Sequence, residues 1–337
     1  MKKAKILYIH DPENESSRIF AEQLKGEFRG WEITITAPSL RTLLFESRKY
    51  DIVHLFLPFT GRASQYVRRL SGKTKLIHTV TAFPGNVEHH RNNQVAQNLI
   101  VFCEEDRKRI ANPDLNISVI PPAVNLPDVN QLLHSHEIKD KFEIGDRLFA
   151  VALCDVSNKQ DYDSFKYVIR EFNRRGEFRF IVPRIKMDAE TLKWRTELQK
   201  QIENEKLPST TLLQEDVDLH SLLDSADFAV HLKKERDSSF DFPLSIVEAS
   251  LIGRPVLCYN IPPYNDFIAG FRKSWTVNNI EELIPAARDL HHQASNLEQL
   301  STELARYARR HLSIDRIAST YKTLYQNILE SSDARAS

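Results

Sequence analysis

The chain has 337 residues, which is enough for two domains of ordinary size. Its 46 Lys and Arg balance its 46 Asp and Glu, and no long basic run is present to neutralise phosphates, so a nucleic acid is not an expected partner. Hydrophobic residues make up 41% of the chain and charged residues 27%, a balance that excludes intrinsic disorder.

The first half of the chain alternates short, β-branched apolar runs with amphipathic segments. The predicted strands of this half are Ala4–Ile9, Glu32–Thr36, Asp51–Leu57, Lys75–Phe83, Asn98–Cys103 and Ile117–Val124. Between them, Ser16–Phe28 and Leu40–Arg48 place apolar residues at helical spacing. Such alternation predicts a parallel sheet with helices on its faces.

A polar stretch, Asn125–Asp146, separates this half from a second series of the same kind. The strands predicted there are Leu148–Cys154, Phe178–Val182, Thr210–Leu213, Phe228–Leu232, Pro255–Tyr259 and Trp275–Val277. We predict an α/β protein with two facing, doubly wound, Rossmann-like domains at residues 1–130 and 145–310, and a C-terminal helix at 311–337. Ligands are expected in a cleft beyond the carboxyl ends of the strands.

The apolar runs are short, and glycine is scarce. The longest runs, such as Ile52–Phe59, have the length of a strand rather than of a membrane span, and the amino terminus becomes polar too early for a signal peptide. We therefore expect a cytoplasmic protein. With nine glycines, neither GxGxxG nor GxxxxGK[ST] can be assembled, which disfavours nucleotide-fold dehydrogenases and P-loop enzymes.

Cysteine and histidine indicate neither a disulfide framework nor a metal site. The three cysteines lie far apart, each inside an apolar run, and are expected to be buried thiols: Cys103, Cys154 and Cys258. The histidine pairs His89-His90 and His291-His292 are adjacent in sequence, so their side chains point in different directions. No third ligand has a suitable spacing, and we expect no metal.

Three segments match a known family in order and spacing. They are Ala226–Phe228, Phe242–Ala249 and Gly253–Val256, which read ADF, FPLSIVEA and GRPV. They resemble the donor-binding half of glycosyltransferase family 4, the retaining GT-B enzymes that use nucleotide-sugar donors. The YKTLY sequence within Ser313–Leu329 is similar to the helix by which the family returns to its first domain. The resemblance implies transfer of a sugar from a nucleotide sugar, as substrate and without a cofactor, to a glycan or a lipid-linked acceptor.

The resemblance also implies roles for particular residues. Glu248 would accept hydrogen bonds from ribose hydroxyls, with Leu244 and Ser245 beside it in the donor site. Lys159 would contact the diphosphate, and His54, at the end of a buried strand, would meet a ligand of the first domain. Glu248 and His54 are the candidate catalytic residues.

Each of these residues also has a plainer interpretation. Glu248 would be a first-turn acid that the helix dipole favours, after a cap at Ser245. Lys159 would be a solvated loop lysine. His54 would be a core histidine that a backbone group satisfies.

The sequence departs from the family pattern at positions that serve the donor. Phe240 stands where the family has a carboxylate near the donor sugar, and Glu235 or Asp237 would have to replace it. Asp155 lies where the family has an arginine near the diphosphate, and an acid there would repel phosphate. These departures predict a degenerate donor site. They leave open a catalytically silent GT-B module that binds a partner glycosyltransferase or a glycan.

One basic run has two interpretations. Arg107–Arg109 is a solvated helix face, or it docks the protein on an anionic membrane, as basic helices do in family members. The second interpretation would place the protein at the inner face of the membrane.

Overall fold

A computed structural model describes residues 4–39, 41–59, 70, 75–83, 96–110, 112–126, 135–185, 188–215, 218–234, 242–262, 264–272, 275–293 and 296–333. The chain forms two compact units. The first consists of Met1–Asn125, Arg236–Leu244 and Arg310–Ser337. The second consists of Leu126–Glu235 and Ser245–Arg309.

The first unit is built on a sheet of six parallel strands. They are β1 (Lys5–His10), β2 (Glu32–Thr36), β3 (Ile52–Leu57), β4 (Lys75–Val80), β5 (Asn98–Val101) and β6 (Asn116–Val119). Their order in the sheet is β2-β1-β3-β4-β5-β6, so the winding of the chain reverses between β1 and β3. Every residue of β3 is buried, as expected for a strand that is covered on both faces.

The second unit repeats this architecture with a different strand order. Its strands are β7 (Leu148–Ala152), β8 (Phe178–Val182), β9 (Thr210–Leu212), β10 (Phe228–His231), β11 (Val256–Tyr259) and β12 (Thr276–Val277). The order is β12-β11-β10-β7-β8-β9, and all pairs are parallel. The winding therefore reverses between β7 and β10. The predicted fold class, with two doubly wound parallel sheets, is confirmed.

Helices connect most of the strands. They are α1 (Glu15–Gly26), α2 (Glu104–Ile110), α3 (Ser135–Lys141), α4 (Lys159–Arg175), α5 (Ala189–Glu205), α6 (Leu219–Ser225), α7 (Leu244–Ile252), α8 (Tyr264–Arg272), α9 (Leu283–His292), α10 (Leu297–Leu312) and α11 (Ile314–Asp333). The predicted helix at Leu40–Arg48 is instead a π-helical turn, Thr42–Glu46, followed by a 3₁₀ turn, Ser47–Lys49. Short polar side chains begin several helices by accepting a backbone N–H of the first turn: Asn14, Asn158, Asp188 and Asp218.

The last helix, α11, packs on the first sheet, as predicted for the return helix. Tyr321 and Tyr325 of the YKTLY sequence are fully buried in the first unit. Lys75, at the start of β4, donates a hydrogen bond of 2.9 Å to the carbonyl oxygen of Leu329. These contacts bring the end of the chain back to its first domain.

The buried apolar residues of the chain form the cores of the two units. Cys103, Cys154 and Cys258 are buried thiols, as predicted. Of the helices in the described ranges, none combines the length and the hydropathy that a bilayer crossing requires.

Candidate functional site

The candidate site lies at the carboxyl edge of the second sheet, where the winding of the chain reverses. β7 and β10 are neighbours there, and the chain continues from β7 to β8 on one side and from β10 to β11 on the other. Ligands of open α/β sheets bind at such a switch point, because the connecting helices pass to opposite faces of the sheet. The residues that follow β7 and β10 therefore define the site.

Two hydrogen bonds join the segments at this edge. The N–H of Leu232, after β10, donates to Sγ of Cys154, after β7, at 3.2 Å. The hydroxyl of Ser245 donates to the carbonyl oxygen of Leu153 at 3.1 Å. The first turn of α7, which begins at the half-buried Leu244, is thereby held against the end of β7. The positive end of the helix dipole and the first N–H groups of α7 lie at the edge, an arrangement that suits an anion.

Glu248 lies in the second turn of α7. The interpretation as a first-turn acid is wrong, because the helix begins at Leu244 and Ser245 lies inside it rather than at its cap. Only 18% of the Glu248 side chain is exposed. Burial raises the pKa of its carboxyl, an effect that His220 opposes and that the charge of Asp218 strengthens.

His220 lies between Glu248 and a second carboxylate. Its Nε2 is 3.8 Å from Oε1 of Glu248, and its Nδ1 is 3.4 Å from Oδ1 of Asp218. Asp218 caps α6 by accepting the N–H groups of His220 and Ser221 and the hydroxyl of Ser221. Burial by itself would raise the pKa of Asp218, but these hydrogen bonds and His220 bring it below its ordinary value. The cap orients His220, because the ring belongs to the same first turn.

Sequence analysis did not identify Asp218, His220 or Lys233 as site residues. A signal existed for Asp218, since an aspartate directly before a predicted helix is typical of an N-cap. The approach of His220 to Glu248 had no local signal, because the two residues belong to different helices.

Lys233 is half-buried after β10. Its ammonium lowers the pKa of the Cys154 thiol, but burial has the larger effect and raises that pKa to about 12. A cation therefore lies beside the end of β7.

Asp155 has its negative charge compensated inside the protein. Nη1 of the buried Arg195 lies 2.7 Å from its Oδ1. The carboxylate also accepts the N–H groups of Val156 and Ile185 at 2.9 and 3.0 Å. The expectation that Asp155 repels a bound phosphate is therefore wrong. Arg195 donates its remaining hydrogen bonds to two backbone carbonyl oxygens and does not replace the family's arginine.

Lys159, the predicted diphosphate contact, is the first residue of α4. Its Nζ lies 2.7 Å from Oδ1 of Asp163, and 62% of its side chain is exposed. The ammonium also lies 4.7 Å from the centre of the Tyr162 ring. The lysine follows β7 on the correct edge of the sheet, and its phosphate contact stays a prediction.

His54 belongs to the core of the first unit. It is fully buried, and its ring stacks on Phe56 with 4.1 Å between the ring centres. Its Nδ1 lies 2.6 Å from the hydroxyl of Tyr325, and its Nε2 lies 2.7 Å from the hydroxyl of Thr79. Burial lowers the pKa of His54 well below its usual range. Both ring nitrogens are engaged inside the core, which favours the core interpretation, with hydroxyl partners in place of a backbone group. The catalytic role of His54 stays a prediction.

The hydrogen bonds of His54 continue into a buried polar network. The hydroxyl of Tyr325 donates to that of Tyr8 at 3.1 Å, and the hydroxyls of Thr79 and Tyr321 lie 3.3 Å apart. A neutral ring that carries its hydrogen on Nδ1 donates to Tyr325 and accepts from Thr79. The network ties α11 to β1, β3 and β4.

The basic run Arg107–Arg109 lies in α2. Arg107 pairs with Glu104 at 2.8 Å, with 53% of each side chain exposed. The guanidinium of Arg109 lies 5.3 Å from the centre of the Phe83 ring. The membrane interpretation of this run stays a prediction.

Some predicted residues lie outside the part of the chain that the structure describes: Glu235, Asp237, Phe240, His89 and His90. Within the described part, no group of three or more His, Cys, Asp or Glu is placed to hold a metal ion.

No protein-family model matches the chain, and no curated protein matches its sequence. Solved structures match it closely in fold. HepE from Anabaena, crystallised with UDP, superimposes with a TM-score of 0.74 at 10% identity, over 96% of this chain and 100% of HepE. A glycosyltransferase from Rickettsia africae gives 0.76 at 13% identity, over 98% of this chain and 99% of its own. Sucrose-phosphate synthase from Thermosynechococcus elongatus gives 0.70 at 11% identity, over 98% and 100%.

These similarities establish the class of fold. Both units are included, because the matches run over nearly the whole of each chain. The protein has a GT-B fold, as the resemblance of its second half implied.

Proposed function

We propose that the protein binds a nucleotide-sugar donor at the carboxyl edge of the second sheet and acts as a glycosyltransferase. The position of Glu248 carries the proposal, because a largely buried carboxylate lies next to the first turn of α7 at the switch point. Its two oxygens can accept neighbouring ribose hydroxyls, and the N–H groups that begin α7 can stabilise the phosphates. HepE has been crystallised with UDP and with UDP and glucose, so UDP is the first nucleotide to test.

The proposed reaction exchanges one bond at the anomeric carbon of the sugar. The bond from this carbon to the diphosphate breaks, and a bond to an acceptor hydroxyl forms while the hydroxyl proton passes to the departing phosphate oxygen. The resemblance to family 4 favours retention by front-side attack, in which no protein nucleophile takes part. The protein would then position the donor and stabilise charge on the leaving diphosphate. Lys159 after β7 and Lys233 after β10 are the candidate cations.

A catalytically silent GT-B module is the second candidate, and the end of β7 supports it. The family's arginine is replaced there by Asp155, and the nearby Arg195 forms an ion pair with that carboxylate. Such a module would bind a nucleotide, a glycan or a partner glycosyltransferase without turnover. The active form would use a glycan or a lipid-linked acceptor.

Titration calorimetry with UDP tests the binding site. We expect Glu248→Gln to weaken UDP binding by about 1.5–3 kcal/mol, the value of a hydrogen bond to a charged group. Glu203→Gln, the same change at an exposed position of α5, is the matched control and should leave affinity unchanged. The melting temperature should stay the same in both variants. Unchanged UDP affinity in Glu248→Gln, or no binding of UDP, ADP or GDP by the wild type, would overturn the proposed site.

Release of UDP from UDP-glucose separates the two candidates. Release that depends on Glu248 identifies an enzyme. Binding of UDP without any release, with glycan acceptors and with lipid-linked acceptors, identifies the silent module.

A further inference from the structure

Nε2 of His220 is a buried polar atom for which the described residues offer no hydrogen-bond partner. Oε1 of Glu248 is 3.8 Å away, beyond hydrogen-bonding distance. Nδ1, on the opposite side of the ring, faces Asp218 at 3.4 Å. An unsatisfied buried group is costly, and a polar atom aimed at a carboxylate of the proposed donor site therefore calls for a functional reason.

We propose that His220 is a positioning residue of the donor site, which keeps Glu248 ionised without touching the donor itself. The inference rests on the proposed function, because it concerns the same carboxylate. Asp218 completes the arrangement by orienting the ring from the cap of α6.

The need for such a residue follows from the surroundings of Glu248. Burial raises the pKa of its carboxyl, and the charge of Asp218 adds to this effect. Within the described part of the chain, the charged groups that act on Glu248 are His220 and Asp218, both from the start of α6. Asp224, in the last turn of α6, is engaged by Arg254, whose Nη2 lies 3.6 Å from its Oδ1. The protonated imidazolium form of His220 is thus the group that favours the carboxylate form of Glu248.

The ionised form matters because a carboxylate accepts hydrogen bonds at both oxygens, whereas a carboxylic acid also carries a donor. UDP affinity should therefore fall as the pH falls through the pKa of Glu248. Removal of the imidazole leaves Glu248 buried beside Asp218, so its pKa rises further. The loss of affinity then begins at a higher pH than in the wild type.

The first experiment measures UDP affinity of the full chain by calorimetry between pH 5 and pH 8. In His220→Gln we expect near wild-type affinity at pH 8 and a midpoint of the pH-dependent loss that lies at a higher pH than in the wild type. His292→Gln, the same change on an exposed turn of α9, is the control and should keep the wild-type profile. A wild-type profile in His220→Gln would overturn the proposal.

The second experiment needs no ligand and separates this inference from the proposed function. Carbon-13 NMR follows the titration of the Glu248 carboxyl, with the signal assigned by its loss in Glu248→Gln. We expect the Glu248 midpoint to rise in His220→Gln. An unchanged midpoint overturns the inference whether or not UDP binds. A raised midpoint in a chain that binds no nucleotide supports the coupling of His220 to Glu248 and refutes the proposed function.

Discussion

Replacement of Arg195 by methionine should destabilise the second unit by about 3–5 kcal/mol, because it leaves a buried carboxylate without its ionic partner. The Arg195 side chain is 5% exposed and that of Asp155 is 0% exposed, so water cannot take over the solvation of the charge. The carbonyl oxygens of Pro183 and Leu213 also lose donors, at 2.9 and 2.7 Å. Methionine occupies most of the space of the arginine stem, so the expected loss comes from charge and hydrogen bonding.

The matched control is Arg170→Met, which removes an arginine from an exposed ion pair between α4 and α5. Arg170 is 47% exposed and its partner Glu205 is 28% exposed, so the expected cost is about 1 kcal/mol or less. Adding Asp155→Asn to Arg195→Met should recover part of the loss, since the buried charge is then gone. Urea unfolding followed by circular dichroism measures all three. A loss in Arg195→Met no larger than in Arg170→Met would refute the account of Asp155.

Two further predictions concern the first unit. Tyr325→Phe removes the hydroxyl that hydrogen-bonds to both His54 and Tyr8, so the free energy of unfolding should fall by about 2–4 kcal/mol. Tyr50→Phe, at a half-buried position, is the control and should change the free energy of unfolding little. Burial lowers the pKa of His78 to about 4 and that of His54 well below its usual range, so below about pH 6.5 the unfolded chain binds protons that the folded chain does not. Stability should therefore fall as the pH falls from 6.5 to 5, by about 1.5 kcal/mol for His78, and His54 acts in the same direction. Urea titrations at these pH values that show the same decline in His78→Gln as in wild type would contradict this.

Two residues that differ from the family pattern, Asp155 and Phe240, predicted a degenerate donor site, and the structure weakens the argument from Asp155. Asp155 no longer counts as a source of repulsion, because Arg195 neutralises it, and Lys233 adds a cation beside the same strand end. Phe240 still stands where the family has a carboxylate. The UDP-glucose assay therefore tests chiefly whether a phenyl ring at that position is compatible with transfer.

The alternation of buried strands and amphipathic helices could be read from the sequence, because burial on both faces demands an apolar run of strand length. This alternation predicted two doubly wound parallel sheets. The FPLSIVEA segment predicted a helix near the start of α7 and pointed to Glu248 as a site residue. The YKTLY sequence likewise predicted a helix that returns to the first unit. These features depend on residues close together in the chain, whose spacing alone carries the information.

The tertiary structure alone decided which charges are compensated and which polar side chains can meet a ligand. Asp155 and Arg195 are 40 residues apart, and His54 and Tyr325 are 271 residues apart. His220 and Glu248 belong to different helices that begin at the same edge of the sheet. The solvation of a charged or polar group depends on neighbours that folding brings together, and local sequence patterns do not identify these neighbours. For this reason His54 proved to be a core residue, and the partner of Glu248 was found only in the folded chain.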